Sequence, residues 1–231
     1  MPAKTFTHPD IGELHVYKRR GTRSLRLSID HDGKVRVTIP WWVSYQAGVE
    51  FAISKVDWVT SQRPARKPLT DNAPVGKYHH LVFERGASSR VSTRIRQNEV
   101  RIIMPRAANI EDEVIQQAAR KAAIRALRRQ AEQLLPQRLQ TLAQNHDFTY
   151  HSVQIKPMKS RWGSCSSAQV ITLNCYLMQL PWDLIDYVLL HELMHTRIMA
   201  HGPKFWTALA QYVPNLSTKR KAIRIHRPSV F

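Results

Sequence analysis

The sequence predicts an α+β fold: a strand-rich N-terminal part built of hairpin–helix units, followed by a helical C-terminal part with a small antiparallel sheet. Three observations lead there. Leu25, Leu27 and Ile29, then Val35, Val37 and Ile39, alternate with polar residues, the period-two pattern of half-buried strands. The same pattern returns at Val91, Thr93 and Ile95 and at Val100, Ile102 and Met104. Beyond Pro105, Asn109 with Asp112 and then Pro181 to Asp183 carry helix-start signals.

In order, Asp32-Gly33 marks the turn of the first hairpin, which ends at Pro40. A helix from about Ser44 to Thr60 follows, with Val49, Phe51, Ala52, Ile53, Val56 and Val59 available for packing. Arg63-Pro64-Ala65-Arg66-Lys67-Pro68 reads as a loop. The second hairpin turns at Gln97-Asn98 and ends at Pro105; Val35–Pro40 and Val100–Pro105 are similar enough to suggest an internal repeat or two like hairpins. Asn109, with Asp112 three residues on, suits the cap of a helix running toward Leu135. Pro136 should kink that helix or start a new segment to about Gln144. Val153 and Ile155 suggest a short strand, joined by Val170 to Leu177, and a further helix starts near Pro181 to Asp183. The organisation expected is residues 1–105 as a strand-rich domain and 106–231 as the domain carrying the chemistry.

That chemistry rests on His191-Glu192-Leu193-Met194-His195, followed six residues later by His201. Two histidines four apart on a helix lie roughly 40° apart in angle, on one face. Both imidazoles then reach a single zinc ion, and Glu192 addresses a water the metal activates. The surrounding Leu184, Ile185, Val188, Leu189, Leu190 and Leu193 make the helix apolar almost all round, so it should be buried. Burying two imidazoles and a carboxylate without partners is unfavourable, which a metal and its water would relieve. The third ligand is expected to be His201. No Asp or Glu occurs after Glu192, and His226 sits in a basic tail. Gly202-Pro203 offers a turn and the start of a helix carrying Phe205, Trp206, Leu209, Tyr212 and Val213. The spacing matches the metzincins, but Ile198 stands where they have glycine, and no methionine-turn pattern follows.

Arg161-Trp162-Gly163-Ser164-Cys165-Ser166, then Ile171-Thr172-Leu173-Asn174, then Tyr187 to Leu193, then His201 and Phe205-Trp206 extend the pattern. In that order they resemble the YgjP-like metallopeptidase family, a bacterial group near the SprT-like and other zincin-type proteases. The resemblance is strongest from about Arg161 to Trp206. It implies a zincin-like C-terminal part, zinc held by His191, His195 and His201, and Glu192 as catalytic base. It speaks to reaction type more than to target.

Gly163 either supplies a positive φ or allows close approach near the metal. Arg161 either orients Glu192 or steadies an oxyanion, or else fixes a turn. Asn174 either contacts substrate or a ligand histidine, or is a buried structural amide. Cys165 and Cys175, the only cysteines, are expected as free thiols.

The N-terminus opens no apolar run long enough for a secretory signal, and no stretch approaches a membrane span, so a cytoplasmic protein without membrane association is expected. The charge is strongly basic, 35 Lys and Arg against 17 Asp and Glu. Clusters at Arg120, Lys121, Arg125, Arg128 and Arg129 and at Lys219, Arg220, Lys221, Arg224 and Arg227 suit weak, salt-sensitive nucleic-acid binding or are simply solvated faces. The leading expectation is a metallopeptidase with one Zn2+ per chain acting on a protein or peptide. The alternative is a nucleic-acid-associated binding protein with a structural or vestigial zinc site, against which an intact Glu192 argues.

Overall fold

The computed structural model describes residues 3–29, 33–62 and 67–229. The chain divides into two compact units, Met1–Lys67 and Pro68–Phe231. The expected boundary at 105/106 therefore falls inside the second unit. The reason is a shared core: Val100, Ile102 and Met104 are buried in one cluster with Ile115, Leu127 and Leu135. The turn residue Asp32 and the loop 63–66 lie outside the described residues.

In the first unit, β1 (Ala3–His8), β2 (Gly12–Arg19), β3 (Arg26–Ile29) and β4 (Val35–Pro40) form a sheet in the order β1-β2-β4-β3. Leu14, Val16, Val35, Val37 and Ile39 point inward, with Ala52 and Val59 completing the cluster. The helix expected over Ser44 to Thr60 is two, α1 (Tyr45–Ile53) and α2 (Val56–Gln62). Ser44 caps the first by accepting from the Ala47 N–H at 3.1 Å. Ser54 ends it, its hydroxyl donating to the Phe51 carbonyl at 2.9 Å.

The second unit opens with the same arrangement. β5 (Pro74–Val75), β6 (His79–Gly86), β7 (Ser92–Arg96) and β8 (Glu99–Pro105) take the order β5-β6-β8-β7. In both sheets the third and fourth strands form the expected antiparallel hairpin, Leu27 opposite Val37 and Ile95 opposite Val100. In both, the fourth strand also pairs parallel with the second, ending with Pro40 opposite Arg19 and Pro105 opposite Gly86. The short sequence match thus marks a repeated topology.

A 33-residue helix, α3 (Glu113–Asn145), packs against this second sheet. It passes through Pro136 as one helix, where a kink or a new segment was expected; no new segment starts there. Leu135 and Leu139 on either side are fully buried, so packing holds the turn that has lost an N–H. Ala119, Ala122, Ala123 and Ala126 are buried on α3 and allow close approach. Two buried glutamines fix the docking. Gln116 accepts from the Leu69 N–H at 2.7 Å, and Gln130 donates to the Val75 carbonyl at 2.8 Å.

β9 (Ser152–Lys156), β10 (Gly163–Cys165) and β11 (Val170–Asn174) form the last sheet, ordered β10-β11-β9. It is mixed rather than antiparallel, because β11 runs parallel to β9. The strand expected to reach Leu177 stops at Asn174. The Asn174 side chain accepts from the Tyr176 N–H, and Cys175–Gln179 wind into a 3₁₀ turn. Then come α4 (Trp182–Met194), α5 (Pro203–Ala210) and α6 (Leu216–Ile225). Arg138 of α3 forks onto the Asp186 carboxylate of α4 and lies over the Trp182 ring. Among the described residues no helix is long and apolar enough to cross a membrane.

Candidate metal centre

α4 ends at Met194, before Ile198 is reached, so the chain leaves the helix without the glycine that metzincins use. The exit is fixed by other means. Thr196 donates its hydroxyl to the Leu193 carbonyl at 2.9 Å, and the Ile198 N–H reaches the Met194 carbonyl at 2.9 Å. Arg197 donates to the Tyr212 hydroxyl and the Asp147 carbonyl. Ile198 and Met199 lie beyond the end of the helix, and Met199 is exposed. The chain then carries His201 back toward the helix, and Pro203 starts α5 at its first turn.

The three imidazoles converge through one atom each. Nε2 of His191 lies 3.3 Å from that of His195 and 3.0 Å from that of His201, and the last two are 3.1 Å apart. Ligands at about 2.05 Å in a tetrahedron are about 3.3 Å apart, so this triangle fits a zinc-sized ion. The His195 Nδ1 sits 3.1 Å from the Ile198 carbonyl. A proton donated there leaves Nε2 with its lone pair free for a metal. Burial, then the neighbouring His195 and His201, push His191 down to about 3, so its ring is neutral at any ordinary pH. Phe205 underlies the cluster, its ring 4.6 Å from that of His195 and stacked on it. His226 is exposed at the end of α6 and is not part of the cluster.

Glu192 is buried beside this triangle, and its Oε2 has no hydrogen-bond partner. A buried carboxylate oxygen without a partner is costly, so the donor set points to an ion and water here. Burial pushes Glu192 up to about 8, against the pull of the Arg161 guanidinium. Both residues border a cleft of about 310 Å³. His191, His195 and His201 form its helical side, and Gly163, Ser164 and Cys165 of β10 its strand side.

Gly163 has a negative φ in an ordinary region, so close approach is its reason for being there. A Cβ at Gly163 would stand 2.6 Å from Glu192 Oε1, 2.7 Å from Cγ and 2.8 Å from Cδ. Asn174 does not reach the cleft. Its amide donates to the Met158 and Arg161 carbonyls at 2.6 and 2.7 Å, and its oxygen accepts from the Met158 and Tyr176 N–H groups. With donors and acceptor engaged by backbone, it holds the loop that carries Arg161 rather than a histidine or substrate. The two cysteines are free; Ile171, not Cys175, stands opposite Cys165.

Sequence reasoning missed Ser164 and Cys165 as cleft residues and Trp206 as a wall of the histidine cluster. Trp206 stacks on the His201 ring at 5.6 Å and donates its Nε1–H to the His201 carbonyl at 3.0 Å. The only signal for it was an aromatic on the helix after the third histidine. In the basic stretch of α3, Arg125 donates to the Thr93 hydroxyl and Arg128 pairs with Glu132. These two cations are engaged within the protein.

Against known proteins, a 65-residue stretch is 37% identical to an uncharacterized protein of Methanocaldococcus jannaschii. The stretch is 26% of this chain and spans 59% of that protein's length. Among solved structures, the metallopeptidase zymogen abylysin of Pyrococcus abyssi superposes with a TM-score of 0.34 at 23% identity, covering 40% of this chain and 95% of that one. The metallopeptidase zymogen jannalysin of M. jannaschii gives 0.33 at 27% identity, covering 38% and 88%. The family model for the YgjP-like metallopeptidase domain matches residues 23–226, and the chain therefore belongs to the YgjP-like metallopeptidase family.

Proposed function

We propose that this protein is a zinc-dependent peptidase in which His191, His195 and His201 hold the ion and Glu192 is the general base. The observation that carries the reading is the closed triangle of Nε2 atoms beside an unpartnered, buried Glu192 oxygen. Three protein ligands opening on a cleft suit a catalytic ion, since structural zinc is normally closed by four. When bound, zinc supplies Lewis-acid polarisation of the scissile carbonyl and makes water acidic enough to ionise near pH 7. Glu192 takes the proton from the attacking water and passes it to the leaving amine. Burial raises the proton affinity of Glu192, and the opposing Arg161 guanidinium favours the carboxylate form that a base needs. His195 keeps its tautomer through the Ile198 carbonyl, so its metal-binding atom is set in advance.

The substrate is proposed to be a protein or peptide. β11 is flanked on both sides by β9 and β10, so it has no free edge for an extended substrate. The outer edge of β10, whose residues line the cleft, is the one that could accept an added strand. The proposed catalytic portion is residues 106–231, which contain every residue named in this mechanism.

Glu192→Gln tests the reading, because glutamine keeps the shape but does not accept the proton. Wild type should carry about one zinc, cleave flexible polypeptides and lose activity to a chelator; the variant should keep its zinc and lose roughly 10²–10⁴-fold in rate. Equal cleavage by both proteins removes Glu192 as base. Equal zinc in His201→Ala and wild type removes His201 as ligand.

A further inference from the structure

The wall of the metal centre formed by the C-terminal helices carries only positive charge. Residues 194–231 contain seven Lys or Arg and no Asp or Glu. Within that segment Lys219 is held to Asp183 of α4, its Nζ 3.2 Å from the carbonyl and 3.8 Å from the carboxylate. Arg220 is placed differently. Its guanidinium lies 3.6 Å from the centre of the Trp206 ring, the indole that also stacks on His201. It therefore sits one ring away from the metal triangle, since the same indole donates its Nε1–H to the His201 carbonyl at 3.0 Å. Among the described residues no carboxylate pairs with Arg220. The carboxylate beside the metal triangle is Glu192, and Arg161 borders the same cleft.

A guanidinium held over an indole loses little further side-chain freedom when it binds an anion. We propose that Arg220, supported on Trp206, is a specificity-determining residue that binds a carboxylate of the peptide substrate. This selects acidic peptides over neutral and basic ones. The inference rests on the peptidase reading given above and adds the substrate class to it. The carboxylate can come from an Asp or Glu side chain or from the peptide's C-terminus; the chemistry at Arg220 is the same, and the test separates the two sources.

The probe is a set of fluorescein-labelled octapeptides, bound to full-length zinc-loaded protein carrying Glu192→Gln so that nothing is cleaved. One peptide has two Glu residues and an amidated end, one has Gln in their place, one has Lys, and one is the Gln peptide with a free C-terminal carboxylate. The Glu peptide, the free-carboxylate peptide or both should bind at least tenfold more tightly than the amidated Gln peptide, with the Lys peptide weakest. Adding Arg220→Gln should shrink that preference to within about threefold, Arg220→Lys should restore part of it, and Arg220→Glu should favour the Lys peptide. Zinc content and the melting temperature, measured on each variant, separate lost charge from lost fold. Which of the two carboxylate peptides gains identifies the source.

Equal binding of the Glu and Gln peptides with no gain from a free carboxylate overturns the proposal. So does a preference that survives Arg220→Gln, or failure of every peptide to bind. Cleavage by the protein with Glu192 intact is read separately. If it hydrolyses the Glu and Gln peptides at the same kcat/KM, the specificity claim fails while the peptidase reading stands. If it hydrolyses none, the peptidase reading fails, and the binding series still decides the role of Arg220.

Discussion

Gly163→Ala places one methyl group against the proposed base without touching a proposed metal ligand. The added Cβ would meet three Glu192 side-chain atoms at 2.6 to 2.8 Å. Carbon contacts are comfortable at about 3.5–4.0 Å, so the carboxylate or the strand must yield by roughly 0.7–1 Å. Neither yields easily. Glu192 is buried on a helix whose flanking Leu189 and Leu193 are fully buried, and β10 is tied to β11 through Gly163 opposite Leu173. A displacement of about 1 Å in a catalytic group costs on the order of 10²-fold in rate. That is about 2.7 kcal/mol of transition-state stabilisation. Overpacking itself costs about 1–3 kcal/mol of stability. At roughly 2–4 °C per kcal/mol, the melting temperature should fall by about 2–12 °C. The assay is kcat/KM on a flexible polypeptide at saturating zinc, with zinc measured by mass spectrometry on the same sample. Low activity with full zinc is the expected result, because the three Nε2 atoms need not move. Activity within about threefold of wild type would show that Glu192 has room the packing denies, and the positional argument would fail. Loss of zinc in step with activity would show that the strand, not the carboxylate, had yielded.

Two further outcomes follow from the same neighbourhood. Asn174→Ala removes four hydrogen bonds and leaves backbone groups of Met158, Arg161 and Tyr176 without their partner. It should destabilise the fold by about 2–4 kcal/mol in thermal or urea unfolding, and a change under 0.5 kcal/mol would mean that water replaces the amide freely. The cysteines should separate by reactivity. Burial pushes the Cys175 thiol up to about 11, while Cys165 lines the cleft. A maleimide should label one thiol in the native protein and two after unfolding, with Cys165 identified by peptide mapping and peptidase activity lost as it reacts; rapid native labelling of Cys175 would contradict its burial.

The sequence by itself determined what short-range periodicity and spacing encode. The alternation at Leu27 and Val37 and at Ile95 and Val100 gave both hairpins, since each residue's face follows from the pleat. Four-residue spacing on a helix sets His191 and His195 on one face before any tertiary contact forms. The want of any acidic residue beyond Glu192 left His201 as the nearest remaining nitrogen donor.

Tertiary structure decided the rest, because those outcomes depend on contacts between residues distant in the chain. Pro136 breaks no helix, since the buried Leu135 and Leu139 hold the turn around it. The parallel pairing of β2 with β4 and β6 with β8 joins strands whose own patterns say nothing of the partner chosen. Gly163 is needed for an approach to Glu192, 29 positions along, that no local rule contains. Asn174 turns out to hold the Arg161 loop, a role fixed by which carbonyls lie within reach of its amide. The basic tail reads in sequence as a face for weak nucleic-acid binding or as a solvated surface, yet folding brings Arg220 onto Trp206, the ring that stacks on His201. Charge can be counted along a chain, but its effect depends on distance, and distance is set only when the helices pack.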